Sequence, residues 1–213
     1  MRFDGFGTGA CRFYEELAEN NSRDWFQANR DRYEAEVRAP LEYLLDDLAG
    51  EFGEAKVFRP NRDVRFSKDK SPYKTNAAAV ISRDGEEHSL YVQISADGLM
   101  VGGGAYWLGG EPLDRLRTAI DDDRTGPELE RIVADLRAAG AETGAHETLK
   151  TAPRGFARDH PRIDLLRQKG IIGWWEHPSR KWLATPAARD RVADGWRALG
   201  PLNAWLDANV RAG

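Results

Sequence analysis

Six basic side chains fall within Arg59 to Lys74: Arg59, Arg62, Arg65, Lys68, Lys70 and Lys74. Only Asp63 and Asp69 oppose them there, so the segment carries a local charge of +4 in a chain of net −4. Arginine presents a planar fork that holds a carboxylate or phosphate bidentately, and lysine adds a mobile point charge. Ser67, Ser71 and Tyr73 are interleaved as neutral donors. Arg62, Arg65, Ser67, Lys68, Lys70, Tyr73 and Lys74 are therefore the candidate anion-binding residues. The same residues also fit two structural roles. Lys68, Asp69 and Lys70 suit a solvated hairpin tip, and Arg62 and Arg65 suit ion pairs that tie a sheet to helices.

A second polar cluster holds Arg154, Asp159, His160 and Arg162. His160 beside Asp159 has the composition of a general base, because imidazole titrates near neutral pH. A histidine before a proline also suits a plain turn, and the arginines suit structural pairing. Chemistry in either cluster would rest on stabilising negative charge, with His160 or Asp63 as proton carrier. Gly102, Gly103 and Gly104 would let backbone approach a phosphate, but no Gly-Lys-Ser/Thr follows, so a strand end where a side chain would clash is preferred. Tyr106 and Trp107 stand beside them as candidate pocket walls.

Other catalytic patterns fail. There is no Gly-x-Ser-x-Gly elbow. The four histidines are far apart, and Cys11 is the only cysteine, so no structural zinc motif is read and no metal or cofactor is expected. A carboxylate-held magnesium ion needs too little local pattern to be read either way. Net charge −4 and a pI of 5.7 argue against a nucleic-acid module, although Tyr73 and Trp107 among basic residues have the parts for one. No apolar window reaches the roughly 18 residues that cross a bilayer, and no signal-peptide pattern opens the chain. A cytoplasmic protein without a membrane partner is expected, and its oligomeric state is not legible.

At 213 residues the chain suits one domain, and 1–213 is read as a single domain. Residues 11–50 carry helical spacing: Phe13 and Leu17, then Ser22 as N-cap for a helix with Trp25, Phe26, Tyr33 and Val37. Pro40 opens a helix with Leu41, Leu44, Leu45 and Leu48 inward. Between about 57 and 107 the period changes to two. Ala77, Ala79 and Ile81 alternate, then Leu90, Val92 and Ile94, then a strand over Leu99 to Gly103, with turn signals at Asp84-Gly85 and Asp97-Gly98. Asp63 to Ser67 reads as a strand too, with Val64 and Phe66 facing the core and Arg65 projecting opposite beside Asp63 and Ser67. Helices return after Gly110. Pro112 and Pro127 open two of them, another covers Ile163 to Lys169, and Thr185-Pro186 caps a C-terminal helix with Trp196. Helices, then a mainly antiparallel sheet over about 57–107, then helices make an α+β fold with helices packed on the sheet.

The run Arg62-Asp-Val-Arg-Phe-Ser-Lys-Asp-Lys-Ser-Pro-Tyr-Lys74 resembles the signature of a widespread uncharacterised bacterial and fungal family, a domain of unknown function. Asn20 to Phe26 with Asn29, Arg30 and Tyr33, Gly102 to Trp107, and Pro153 to Phe156 with Asp159 to Arg162 resemble it as well. The resemblance implies a single α+β domain and supplies no reaction and no catalytic residue. The expected function is thus a cytoplasmic protein with a pocket for a phosphorylated or carboxylated small molecule. Whether it is an enzyme stays open. The alternatives are a nucleic-acid or protein interaction module and a structural ion-pair network.

Overall fold

A computed structural model describes residues 2–63, 65, 68–83, 85–179 and 181–211. Helix α1 (Gly9–Glu19) buries Ala10, Phe13, Tyr14 and Leu17, the i, i+3, i+4, i+7 spacing of one helical face. Ser22 caps α2 (Arg23–Ala28), its Oγ accepting from Trp25 N–H at 3.3 Å. Next come α3 (Arg30–Tyr33), a π-helical turn (Glu34–Arg38) and α4 (Ala39–Phe52). Proline inside a helix removes one backbone donor and crowds the preceding turn. Here the π turn, which ends at Arg38, spans the residue four before Pro40, where an α-helical carbonyl would meet the proline ring. Leu41, Leu44, Leu45 and Leu48 are all buried, and Gly53 ends α4 at a φ of 98°, a left-handed conformation that favours glycine.

Six strands follow among the described residues: β1 (Lys56–Val57), β2 (Asn76–Ile81), β3 (Ser89–Ser95), β4 (Gly98–Ala105), β5 (Glu142–Gly144) and β6 (Ile171–Pro178). They form one antiparallel sheet in the order β1-β2-β3-β4-β6-β5. The β1–β2 register sets Lys56 opposite Val80, and β5–β6 sets Thr143 opposite Gly173. Among the described residues the remaining helices are α5 (Gly110–Asp121), α6 (Thr125–Ala138), α7 (Ile163–Leu166), α8 (Ala187–Ala198) and α9 (Gly200–Asn209), with a 3-10 turn at Lys181–Ala184. The fold is α+β. The sheet extends past the expected 57–107 span, because β5 and β6 come from 142–178. Among the described residues no helix is long and apolar enough to cross a membrane.

The chain divides into two compact units. The first comprises Met1–Ile81, Tyr91–Val101 and Glu176–Asp194. Its core is aromatic: the Phe13 ring packs edge-on against Tyr14 and Phe26 at centroid distances of 5.4 and 6.1 Å, and Phe26 lies 5.2 Å from Tyr33. The second unit comprises Ser82–Leu90, Gly102–Trp175 and Gly195–Gly213. In it α5, α6 and α9 pack against one another, and Leu116, Ile120, Leu129, Leu202 and Leu206 on these helices are buried.

The three consecutive glycines sit inside β4. A Cβ on Gly103 would lie 2.6 Å from the Ser89 carbonyl oxygen, and one on Gly102 would lie 3.0 Å from that of Gly173. Close approach of neighbouring strands accounts for them, in line with the expected clash.

Candidate functional site

The basic segment is a loop with a short paired neck. Arg62 N–H donates to Pro72 O at 2.9 Å, Lys74 N–H donates to Pro60 O at 2.8 Å, and Asn61 and Tyr73 form an antiparallel bridge. The Asn21 carboxamide closes the other side of the neck. Its Nδ2 donates to Tyr73 O at 3.0 Å and its Oδ1 accepts from Tyr73 N–H at 3.1 Å. The Tyr73 ring stacks on Phe26 at 3.9 Å with an interplanar angle of 11°. Tyr73 is thus held at its backbone and its ring, which fixes where Arg62 and Lys74 emerge on either side of it.

Arg62 and Lys74 line one cavity of about 530 Å³ in the first unit, together with Tyr14, Thr75, Asn76, Gln93, Ser95 and Asp97. Arg62 Nη1 pairs with Asp69 Oδ2 at 2.6 Å, while its Nε is buried with no hydrogen-bond partner. Lys74 Nζ lies 5.1 Å over the Phe58 ring. Burial, and then the neighbouring Arg59 and Arg62 charges, hold the Lys74 pKa below the ordinary lysine range. Among the described residues no carboxylate pairs with Lys74.

Strand β3 supplies the polar wall. Val92 and Ile94 are fully buried, so by strand parity Tyr91, Gln93 and Ser95 share the opposite face. Gln93 Oε1 accepts from Tyr91 Oη at 2.8 Å and from Asn76 Nδ2 at 2.5 Å. Both lone pairs of that oxygen are thereby used, and the Gln93 NH₂ keeps its donors. Burial raises the Tyr14 pKa, so its phenol stays a neutral donor. Among the described residues the lining therefore combines two cations, several neutral donors and one carboxylate, Asp97.

The remaining expected residues lie elsewhere. Arg65 does not line this cavity. Its side chain is 76% exposed and forms a fork with Asp63, with Nη2 2.6 Å from Oδ2. That pairing holds the Asp63 carboxyl below its ordinary pKa. Neither Asp63 nor Arg65 lies in a strand, contrary to the alternation read there; Val64, Phe66 and Ser67 lie outside the described residues. Lys68 and Lys70 are exposed.

The second cluster belongs to the second unit. Arg162 is only 9% exposed. Its Nε donates to Ile120 O at 2.6 Å and its Nη2 to Asp121 O at 2.8 Å, so it caps the C-terminal end of α5. His160 pairs with Asp121, at 3.0 Å from Nε2, rather than with its sequence neighbour Asp159. Its Nδ1 accepts from Arg162 N–H at 3.0 Å, which leaves the imidazole proton on Nε2. Both ring nitrogens are thus engaged at a helix end. Arg154 and Asp159 are exposed.

Sequence reasoning missed Asn76, Gln93, Ser95 and Tyr14 as cavity residues. The available signal was a polar residue in register with Tyr91 on the face of β3 opposite Val92 and Ile94.

The architecture defines an α+β protein with a six-stranded antiparallel sheet among its described residues. The model of the family described as a conserved hypothetical protein, DUF2461, matches residues 9–205, and the chain belongs to that family. A search of curated proteins finds no match.

Proposed function

We propose that the cavity at Arg62 and Lys74 binds a small anionic ligand carrying a phosphate or carboxylate group. The observation that carries this is Lys74. It is partly buried and repelled by Arg59 and Arg62, and among the described residues no carboxylate pairs with it. Partial burial beside two like charges disfavours the charged amine, the Phe58 ring offsets part of that, and a bound anion relieves both the desolvation and the repulsion. Arg62 supports the same reading, with a buried Nε that makes no hydrogen bond. The Gln93 NH₂ and the Tyr14 hydroxyl supply neutral donors, and among the described lining residues the cations Arg62 and Lys74 face the carboxylate of Asp97.

A cytoplasmic setting, where phosphorylated and carboxylated metabolites are abundant, goes with this reading. The test is a thermal-shift panel of inorganic phosphate, pyrophosphate and citrate at low ionic strength. Stabilisation by one of them that disappears in Lys74→Met supports the site. An absence of any shift, or one retained in full by Lys74→Met, overturns it.

A further inference from the structure

We propose that Glu86, His88 and Asp207 form a binding site for a divalent transition-metal cation of the zinc, manganese or iron(II) class. All three residues belong to the second unit, and the proposal is independent of the anion cavity. His88 and Glu86 lie two residues apart just before β3, and Asp207 lies in the last turns of α9. One ligand atom from each lies within 4.8 Å of the others.

The imidazole carries the case. The His88 side chain is 11% exposed, and its Nε2 is buried with no hydrogen-bond partner. Asp207 Oδ2 stands 3.1 Å from it and Glu86 Oε2 stands 4.0 Å from it, yet neither completes a hydrogen bond. Asp207 Oδ1 is likewise buried without a partner. Buried polar atoms are normally satisfied, so two unsatisfied ones in neighbouring side chains call for a missing partner. A cation is the partner that suits both an imidazole nitrogen and two carboxylates. Metal–ligand bonds of about 2.0–2.2 Å place neighbouring ligand atoms roughly 3–3.5 Å apart; His88 Nε2 and Asp207 Oδ2, 3.1 Å apart, already meet that spacing, and Glu86 Oε2, 4.0 Å from the imidazole, must draw in by less than about 1 Å.

The donor set narrows the ion. Imidazole with two carboxylates suits zinc, manganese or iron(II) better than magnesium or calcium, which prefer all-oxygen shells. The two carboxylates balance the charge of a divalent ion. Arg83 Nη1, 3.6 Å from Glu86 Oε1, engages the Glu86 oxygen that is not facing the imidazole. Three protein ligands leave room for water, the arrangement of an open site rather than a closed structural one. Sequence inspection does not find this set, because Asp207 is far from the other two along the chain.

The test uses tag-free, chelator-treated full-length protein titrated with Zn²⁺ in a calorimeter, with His88→Gln and Asp207→Asn as variants. One equivalent of Zn²⁺ is expected to bind, and each variant should weaken it at least about tenfold, the loss typical even of residues that only orient a ligand. Mn²⁺ added to ¹⁵N-labelled wild-type protein should broaden the amide signals of Gly85, Glu86, His88 and Asp207 first, a readout that does not depend on the variants folding. Absence of one-equivalent binding in the wild type, unchanged affinity in both variants, or Mn²⁺ broadening centred elsewhere overturns the proposal.

Discussion

Asn21 holds Tyr73 as a neighbouring β-strand would, donating to its carbonyl oxygen at 3.0 Å and accepting from its N–H at 3.1 Å. The side chain of one signature stretch thereby substitutes for a strand partner of another, 52 residues away. The contact is half-buried, and its loss takes the side-chain acceptor from Tyr73 N–H and leaves Tyr73 O with the long 3.5 Å bond from Arg62 Nη2. Asn21→Ala should cost roughly 1–3 kcal/mol in urea unfolding. It should also weaken anion binding, because Lys74 follows Tyr73 directly. A variant as stable as the wild type would show that water replaces the clamp.

Arg65 and Arg62 should behave differently although they share a signature. Arg65 is 76% exposed, and among the described residues its ion pair is with Asp63 in its own loop. Exposed pairs of this kind contribute little. Arg65→Ala should leave the urea midpoint and the anion response unchanged. Arg62→Ala should lower both, since Arg62 pairs with Asp69 and reaches the cavity. Equal effects of the two substitutions would remove the distinction.

The difference between these arginines marks where the sequence stops being readable. Helices α1 and α4 follow from Phe13, Leu17 and Leu41 to Leu48, whose spacing is local. Strands β2 and β3 follow equally from alternation at Ala77–Ile81 and Leu90–Ile94. The alternation at 63–67 is just as regular, yet Asp63 Oδ1 accepts from Arg65 N–H at 3.2 Å and offers the backbone a local turn instead of a ladder. Strand β6 is masked by Gly173, which takes an inward position where an apolar side chain would be expected. A Cβ there would lie 3.1 Å from Leu199 and 3.4 Å from Leu136. Asn76 and Gln93 join Arg62 and Lys74 only through strand pairing and the neck of the loop, which no local pattern announces.

Gly126 should resist substitution. A Cβ there would lie 2.5 Å from Arg162 Nε, and closer still to the Ile120 carbonyl that Arg162 caps. Gly126→Ala must displace the guanidinium or the helix end, at roughly 1–3 kcal/mol. Thermal unfolding checks this, and an unchanged melting temperature would show that the cap is dispensable.

Anion affinity should fall with rising pH earlier than an ordinary lysine would dictate. The Lys74 pKa is lowered in the free protein, first by burial and then by Arg59 and Arg62. A bound anion favours the charged form and raises that pKa again. Affinity is therefore full below the lowered value and declines as pH passes through it. For folding the sign is the reverse of a favourable pair: charged Lys74 costs stability below its lowered pKa, and deprotonation relieves that cost as pH rises. Calorimetry with pyrophosphate across pH 7 to about 10 checks the trend. A flat profile up to the ordinary lysine range contradicts it.

The proposed anion site joins Arg62 and Lys74 to the polar face of β3. A titration of ¹⁵N-labelled protein with pyrophosphate at low salt, followed by amide and side-chain NH₂ signals, tests it most directly. Saturable shifts should centre on Arg62, Lys74, Asn76 and the Gln93 side-chain amide, and should be absent in Lys74→Met. Shifts confined to Lys68, Lys70 and other exposed cations, or no saturable shift at all, would contradict the site.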